Sequence, residues 1–135
     1  MKKLCMLLTT ILIVSCSNDE KVVESAKKAS QPSNLEGLYC YISGSTVFYD
    51  QVTNIGSCVA KPGSSASFYY KSSLDAPDIK WTIIAEPAGS IVVNGSENES
   101  SISLTFNSDF EKGEIRSVGE GEKGTCGPVL PVTSK

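Results

Sequence analysis

The 135-residue sequence contains no histidine. That absence removes the commonest general base, the commonest zinc ligand and the usual charge switch near neutral pH. Cations are also in short supply: 12 Lys and Arg stand against 15 Asp and Glu, a formal net charge of -3. Lys2 and Lys3 precede an apolar run, and without them 10 basic side chains face 15 acidic ones, or -5. A surface of that sign repels a phosphate backbone, so no nucleic-acid partner is expected. No apolar stretch reaches the roughly 20 residues that a membrane-spanning helix needs. The acidic pairs Asp75 with Asp78 and Glu97 with Glu99 lack the shaped loop that calcium requires, and solvated loop charge accounts for them better. No metal, cofactor or catalytic residue is therefore expected, and the chain reads as non-enzymatic.

What is present begins with a seam. The run "LCMLLTTILIVS" (Leu4–Ser15) follows the two lysines and stops at Cys16, and Asp19 and Glu20 come almost at once. Positive charge followed by a short apolar run is the layout of a secretory signal peptide, here residues 1–15. "IVSC" (Ile13–Cys16) resembles the bacterial lipobox. That resemblance implies a diacylglycerol thioether on Cys16, cleavage before it and acylation of the new amino group. One acyl chain holds a protein only marginally, since each buried methylene contributes ~0.8 kcal/mol, whereas two or more anchor it. Ser17 in place of Asp is compatible with outward export. "CSNDE" resembles surface-exported lipoproteins of the Bacteroidota, although a solvated acidic tether explains Asp19 and Glu20 nearly as well. The expectation is an outer-membrane protein anchored through Cys16 at the cell surface, with the periplasmic face as the alternative.

Residues 16–36 are polar and read as a linker, in which Gln31-Pro32-Ser33 would end any marginal helix. The flexible part would reach ~25 Å. From 37 to 135 the texture is that of an all-β domain, with short Val/Ile/Tyr/Phe/Thr runs separated by Gly, Ser, Asn and Pro clusters. In "IKWTIIA" (Ile79–Ala85), Ile79, Trp81, Ile83 and Ala85 share one face and Lys80, Thr82 and Ile84 the other. "SISLTFN" (Ser101–Asn107) sends Ile102, Leu104 and Phe106 inward and Ser101, Ser103 and Thr105 outward. No segment after Pro32 shows a 3.6-residue apolar period. Pro128 and Pro131 predict an edge position for the last strand, because neither can donate to a ladder. "EKGEIRSVGEGEK" (Glu111–Lys123) mixes charge and glycine in the manner of an exposed hairpin.

Beyond Cys5 and Cys16 the chain has Cys40, Cys58 and Cys126, an odd set for an exported protein. Cys58 precedes the first well-marked strand and Cys126 opens the last, so a Cys58–Cys126 bridge would close nearly the whole domain, contributing roughly 4 kcal/mol. Cys40 alternates with Leu38 and Ile42, which predicts a buried, unpaired thiol. Trp81 lies between the bridged pair, similar to the Cys-Trp-Cys layout of immunoglobulin domains.

From Gly56 to Val132 the chain resembles a PKD-like domain common in exported Bacteroidota proteins. The residues that carry this are "GSCVAKPGSSASFYY", "IKWTIIAEPAGSIVVNGSENESSISLTFNSDFEKGEIRSV" and "GTCG". The family implies a β-sandwich of about seven strands used for spacing or binding, with no catalytic residues, and it supports pairing Cys58 with Cys126. The Trp-x-Phe-Gly-Asp-Gly loop of standard members is absent, Trp81 being followed by "TIIAEPAG". The partner is expected to be a protein or a glycan. As an alternative function, an accessory carbohydrate-binding role in a surface polysaccharide system would use Tyr39, Tyr41, Tyr49, Tyr69 and Tyr70 as a stacking face. Core or strand packing is the weightier account of those residues.

Overall fold

A computed structural model describes residues 30–135. The expected signal segment, Cys16 and most of the expected linker lie outside the described residues. The described residues form ten strands and no helix: β1 (Cys40–Gly44), β2 (Val47–Tyr49), β3 (Gly56–Ala60), β4 (Ser65–Ser72), β5 (Asp78–Glu86), β6 (Ile91–Asn94), β7 (Ser101–Phe106), β8 (Lys112–Gly121), β9 (Gly124–Cys126) and β10 (Val129–Ser134). They form a four-stranded sheet in the order β1-β4-β7-β6 and a six-stranded sheet in the order β2-β3-β10-β8-β5, with β9 also paired to β8.

The first sheet has the A-B-E-D order of an immunoglobulin domain. β9/β10, β8 and β5 supply the G-F-C sheet. The protein is thus an all-β, immunoglobulin-like sandwich of seven core strands, with the β2–β3 hairpin added after the first. Both β1 and β2 lie before Gly56 and are integral to the two sheets.

Alternation sets the core. Phe68, Tyr70, Trp81, Ile102, Leu104, Phe106, Ile115, Leu130 and Val132 all point between the sheets and are buried. Leu104 and Phe106 are wholly shielded, as their spacing predicts. Phe106 lies edge-on to Phe68, with ring centroids 6.4 Å apart, and tilts against Phe110 at 5.0 Å. Trp81 occupies the C strand, where an immunoglobulin core places its tryptophan. Its backbone N–H donates to the Glu97 carbonyl at 2.9 Å and its indole N–H to the Glu99 carbonyl at 2.7 Å. The β6–β7 loop thereby covers part of the free edge of β5, and the backbone around Glu97 and Glu99 has a structural use while their side chains stay exposed.

Two expectations need correction. The last strand is not an edge: β10 lies between β3, to which it is parallel, and β8, to which it is antiparallel. Ser134 donates to Glu111 on the β8 side and Lys135 to Ala60 on the β3 side, so odd-numbered residues of β10 face β3. Pro131 therefore points toward β3, but pairing there starts only at Val132, and the missing N–H removes no ladder bond. The expected hairpin is present: residues 112–121 form the longest strand, β8, in the middle of its sheet, and a turn leads into the antiparallel β9, while alternate residues of β8 are exposed.

The second correction concerns the cysteines. The disulfide joins Cys40 to Cys126, with Cα atoms 6.0 Å apart, and Cys58 is the free, buried thiol. Cys58 sits opposite Val132 on β10, six residues along the chain from Cys126 at the end of β9. At ~3.3 Å per residue that is on the order of 20 Å, far beyond the ~4.4–6.8 Å that a bridge permits. Cys40 does face inward with Ile42, as its alternation predicts. Its inward neighbour is Cys126 on the facing sheet, so the bridge ties the A and G strands.

Candidate binding surfaces

The outer faces of the two sheets differ in chemistry. On the six-stranded sheet, Lys80, Glu86, Lys112, Glu114, Arg116 and Glu120 alternate outward. The Arg116 guanidinium bonds Glu114 at 2.6 and 2.9 Å, and Lys112 lies 3.5 Å from Glu86. Such charges are the usual guard of a solvated sheet with open edges.

The four-stranded sheet shows almost none. Its register sets Ser65 beside Thr105, Ser67 beside Ser103, and Tyr69 between Ser43 and Ser101; Asn94 and Val92 continue the rows on β6. Lys71 is the one charged residue among these strands' outward positions, its ammonium 5.9 Å from the Tyr69 ring centre. Ser65 and Thr105 hydroxyls share a hydrogen bond of 2.8 Å, and the Asn94 amide donates to the same Thr105 oxygen at 2.8 Å. Beside this linked corner runs a shallow groove of about 380 Å³ lined by Ser45, Ser65, Ala66, Ser67, Tyr69 and Ser103. Tyr69 is 45% exposed there.

The five tyrosines do not form one platform. Tyr49 and Tyr70 are buried struts. The Tyr49 hydroxyl donates to the Ile42 carbonyl at 3.0 Å and accepts from the Ile42 N–H at 3.2 Å. The Tyr70 hydroxyl donates to the Cys126 carbonyl at 3.0 Å. Burial raises the Tyr49 phenol above its ordinary value, the bond to Ile42 opposing this and Tyr41 adding to it. Tyr41 packs edge-on to Tyr49 at 6.0 Å and stacks with Tyr39 at 6.4 Å, and its phenol is likewise raised, by burial and then by Tyr39. Tyr41 shares the outward register opposite Lys71 but packs against Tyr39 and Tyr49, so Tyr69 is the exposed tyrosine of the hydroxyl-rich face.

At the end of the sandwich where the chain enters, residues 31–33 are docked on the β2–β3 turn. The Ser33 N–H donates to the Asn54 side-chain oxygen and the Asn54 amide returns a bond to the Ser33 carbonyl, each at 3.0 Å. The Ser33 hydroxyl donates to the Gln51 carbonyl, and the Gln51 amide to the Gln31 carbonyl, again at 3.0 Å. Asn54 adopts φ 58°, a left-handed conformation that asparagine tolerates. Pro32 is buried in this contact. The last part of the sequence-defined linker is therefore fixed to the domain.

At this same end, Asp75, Asp78, Glu120 and Glu122 line a cleft of about 590 Å³, and Asp78 stands directly opposite Glu120 across β5 and β8. Among the described residues no group of three or more His, Cys, Asp or Glu is placed to hold a metal ion. Cys58, 1% exposed, has its thiol raised by burial, opposed by a 3.3 Å contact with the Thr46 hydroxyl. Among the described residues no helix is long and apolar enough to cross a membrane.

No protein-family model and no curated protein matches the chain. Among solved structures, it is similar to a nucleoside hydrolase-related hypothetical protein from Saccharophagus degradans that is associated with carbohydrate metabolism. That similarity has a TM-score of 0.50 and 12% identity over 72% of this chain, and the chain spans about a quarter (26%) of that protein. A chimeric titin Z1Z2 functionalized with a decorin peptide is similar at TM-score 0.40 and 15% identity, over 74% of this chain and 98% of that one. The titin M3 domain is similar at TM-score 0.40 and 12% identity, over 73% and 99%. At such identities the first comparison speaks to the fold alone.

Proposed function

We propose that the protein is a lipid-anchored outer-membrane lipoprotein that presents one PKD-like, immunoglobulin-like sandwich as a non-catalytic binding or structural module. The observation that carries this is "IVSC" at the joint between the apolar run and the polar linker. The docked residues 31–33 support it by defining where a tether would leave the domain. The 14 residues of 17–30 would then act as the free tether, with a reach of roughly 20 Å. The carboxylates at the same end would hold the domain off an anionic surface. Ser17, Asp19 and Glu20 favour the cell surface over the periplasmic face. Metabolic labelling with a palmitate analogue tests the anchor: the wild type incorporates label and Cys16→Ala does not. Equal labelling of both contradicts it.

A second reading, an accessory carbohydrate-binding role in a surface polysaccharide system, is favoured by one observation, the exposed Tyr69 among neutral hydroxyls. The association of the Saccharophagus protein with carbohydrate metabolism belongs to a chain of which the match covers only 26%, and it adds only the shared fold to this reading.

A further inference from the structure

The geometry points to the outer face of the four-stranded sheet, centred on Tyr69, Ser67 and Ser103, as a binding site for a neutral polysaccharide. This rests on the reading of the sandwich as a binding module and names its ligand class and its place.

A pyranose ring has a weakly apolar C–H face and a rim of hydroxyls. Recognition takes an aromatic face for the first and small neutral donors and acceptors for the second. Tyr69 supplies an exposed ring on β4. Ser67 lies two residues away on the same face, and Ser103 stands directly beside it on β7. The linked trio Ser65, Thr105 and Asn94 is already ordered by its two 2.8 Å bonds. No described residue takes up the Ser67 and Ser103 hydroxyls, which each offer one donor and two acceptor lone pairs. Small side chains leave the pleat open, and the result is the groove of about 380 Å³.

Charge decides between ligand classes. Lys71 is the lone charged residue among the outward positions, so the face offers no cluster to pair with a polyanion. Its contact with Tyr69 is an exposed cation–π pair, weak enough for a stacked sugar to displace. A protein partner fits less well, because the buried centre of such interfaces is apolar and aromatic. Here Tyr69 and Val92 are the exposed large side chains among the outward positions, amid hydroxyls.

Isothermal titration of the full chain in detergent micelles, against mixed-linkage β-glucan, xylan, galactomannan and amylopectin, tests the site, with polygalacturonate as the anionic comparison. At least one neutral polymer binds. Tyr69→Ala and Ser67→Glu each weaken that binding tenfold or more, and Thr82→Glu on the other sheet leaves it unchanged. None of the three substituted side chains contributes to the core, so thermal melts of all three variants match the wild type. The inference is overturned if no neutral polymer binds, if only polygalacturonate binds, or if both groove variants bind as the wild type does. It is also overturned if Tyr69→Ala instead abolishes capture of a protein partner. No membrane enters the assay, so a negative result leaves the Cys16 anchor standing, and failure of palmitate labelling leaves this site standing.

Discussion

The ring of Tyr70 crosses the core directly over Gly119. A Cβ at residue 119 would press on the Tyr70 hydroxyl and come within 2.6 Å of its Cζ, while that hydroxyl bonds the Cys126 carbonyl. Tyr70 is on the B strand and Gly119 on the F strand, the two strands that a disulfide joins in antibody domains. Here an aromatic strut makes that link, and the covalent bridge has moved to A and G. A second strut repeats the arrangement: Tyr49 lies against Gly56, its cross-strand partner, where a Cβ would stand 2.5 Å from the ring.

Gly119→Ala therefore overpacks the strut and costs about 1–3 kcal/mol. Tyr70→Phe loses the bond to Cys126 and costs about 1 kcal/mol. Urea titrations of both variants and of the pair check this. A double-mutant cycle with no coupling between the residues contradicts the contact.

The bridge closes a sequence separation of 86 residues, worth about 4.5 kcal/mol on the chain-entropy model. Cys40→Ser and Cys126→Ser each lose most of it and melt many degrees lower. Cys58→Ser costs only about 1–3 kcal/mol, the desolvation of a hydroxyl. Non-reducing peptide mapping shows Cys40 linked to Cys126, with Cys58 alkylated slowly until the protein unfolds. A Cys58–Cys126 peptide contradicts the fold.

Much of this was readable in the chain, and the unread part has a common cause. Alternation is local, so the inward sets around Trp81 and Leu104 were plain. β3 was not, because "GSCVA" has little of the β-branched and aromatic content that marks a strand. The bridge depends on which strand ends face one another across two sheets, and no spacing within a strand reports that. The same holds for the candidate site. Ser101, Ser103 and Thr105 read as outward from their own strand, but their adjacency to Ser65, Ser67 and Tyr69 exists only in the β4–β7 register. The tyrosines were legible as residues and not as neighbours.

Stability falls at alkaline pH. The Tyr49 phenol is raised above 10.0 by burial, so the folded state keeps its proton where the unfolded state loses it. The stabilising effect is complete below pH 10 and is lost as pH rises through the folded value. The raised Cys58 thiol acts with the same sign from about pH 9.0. Denaturant titrations from pH 9 upward show a shallower decline for Tyr49→Phe, although that variant starts less stable without its bonds to Ile42. Parallel declines contradict the burial of this phenol.

Asn54→Gly keeps the left-handed backbone and removes all three side-chain bonds to Ser33. Hydrogen exchange at Ser33 then speeds up by about fivefold to thirtyfold, matching roughly 1–2 kcal/mol of lost contacts, while the sandwich core is unaffected. Unchanged exchange shows that the chain is not held at this turn.

The central claim, anchorage through Cys16, is tested most directly by the intact mass and amino-terminal peptide of the mature protein extracted from membranes. The account predicts a chain that begins at Cys16 and carries a thioether-linked diacylglycerol together with an acylated amino group. A mature chain that retains Ser15, or one that begins at Cys16 without lipid, contradicts it.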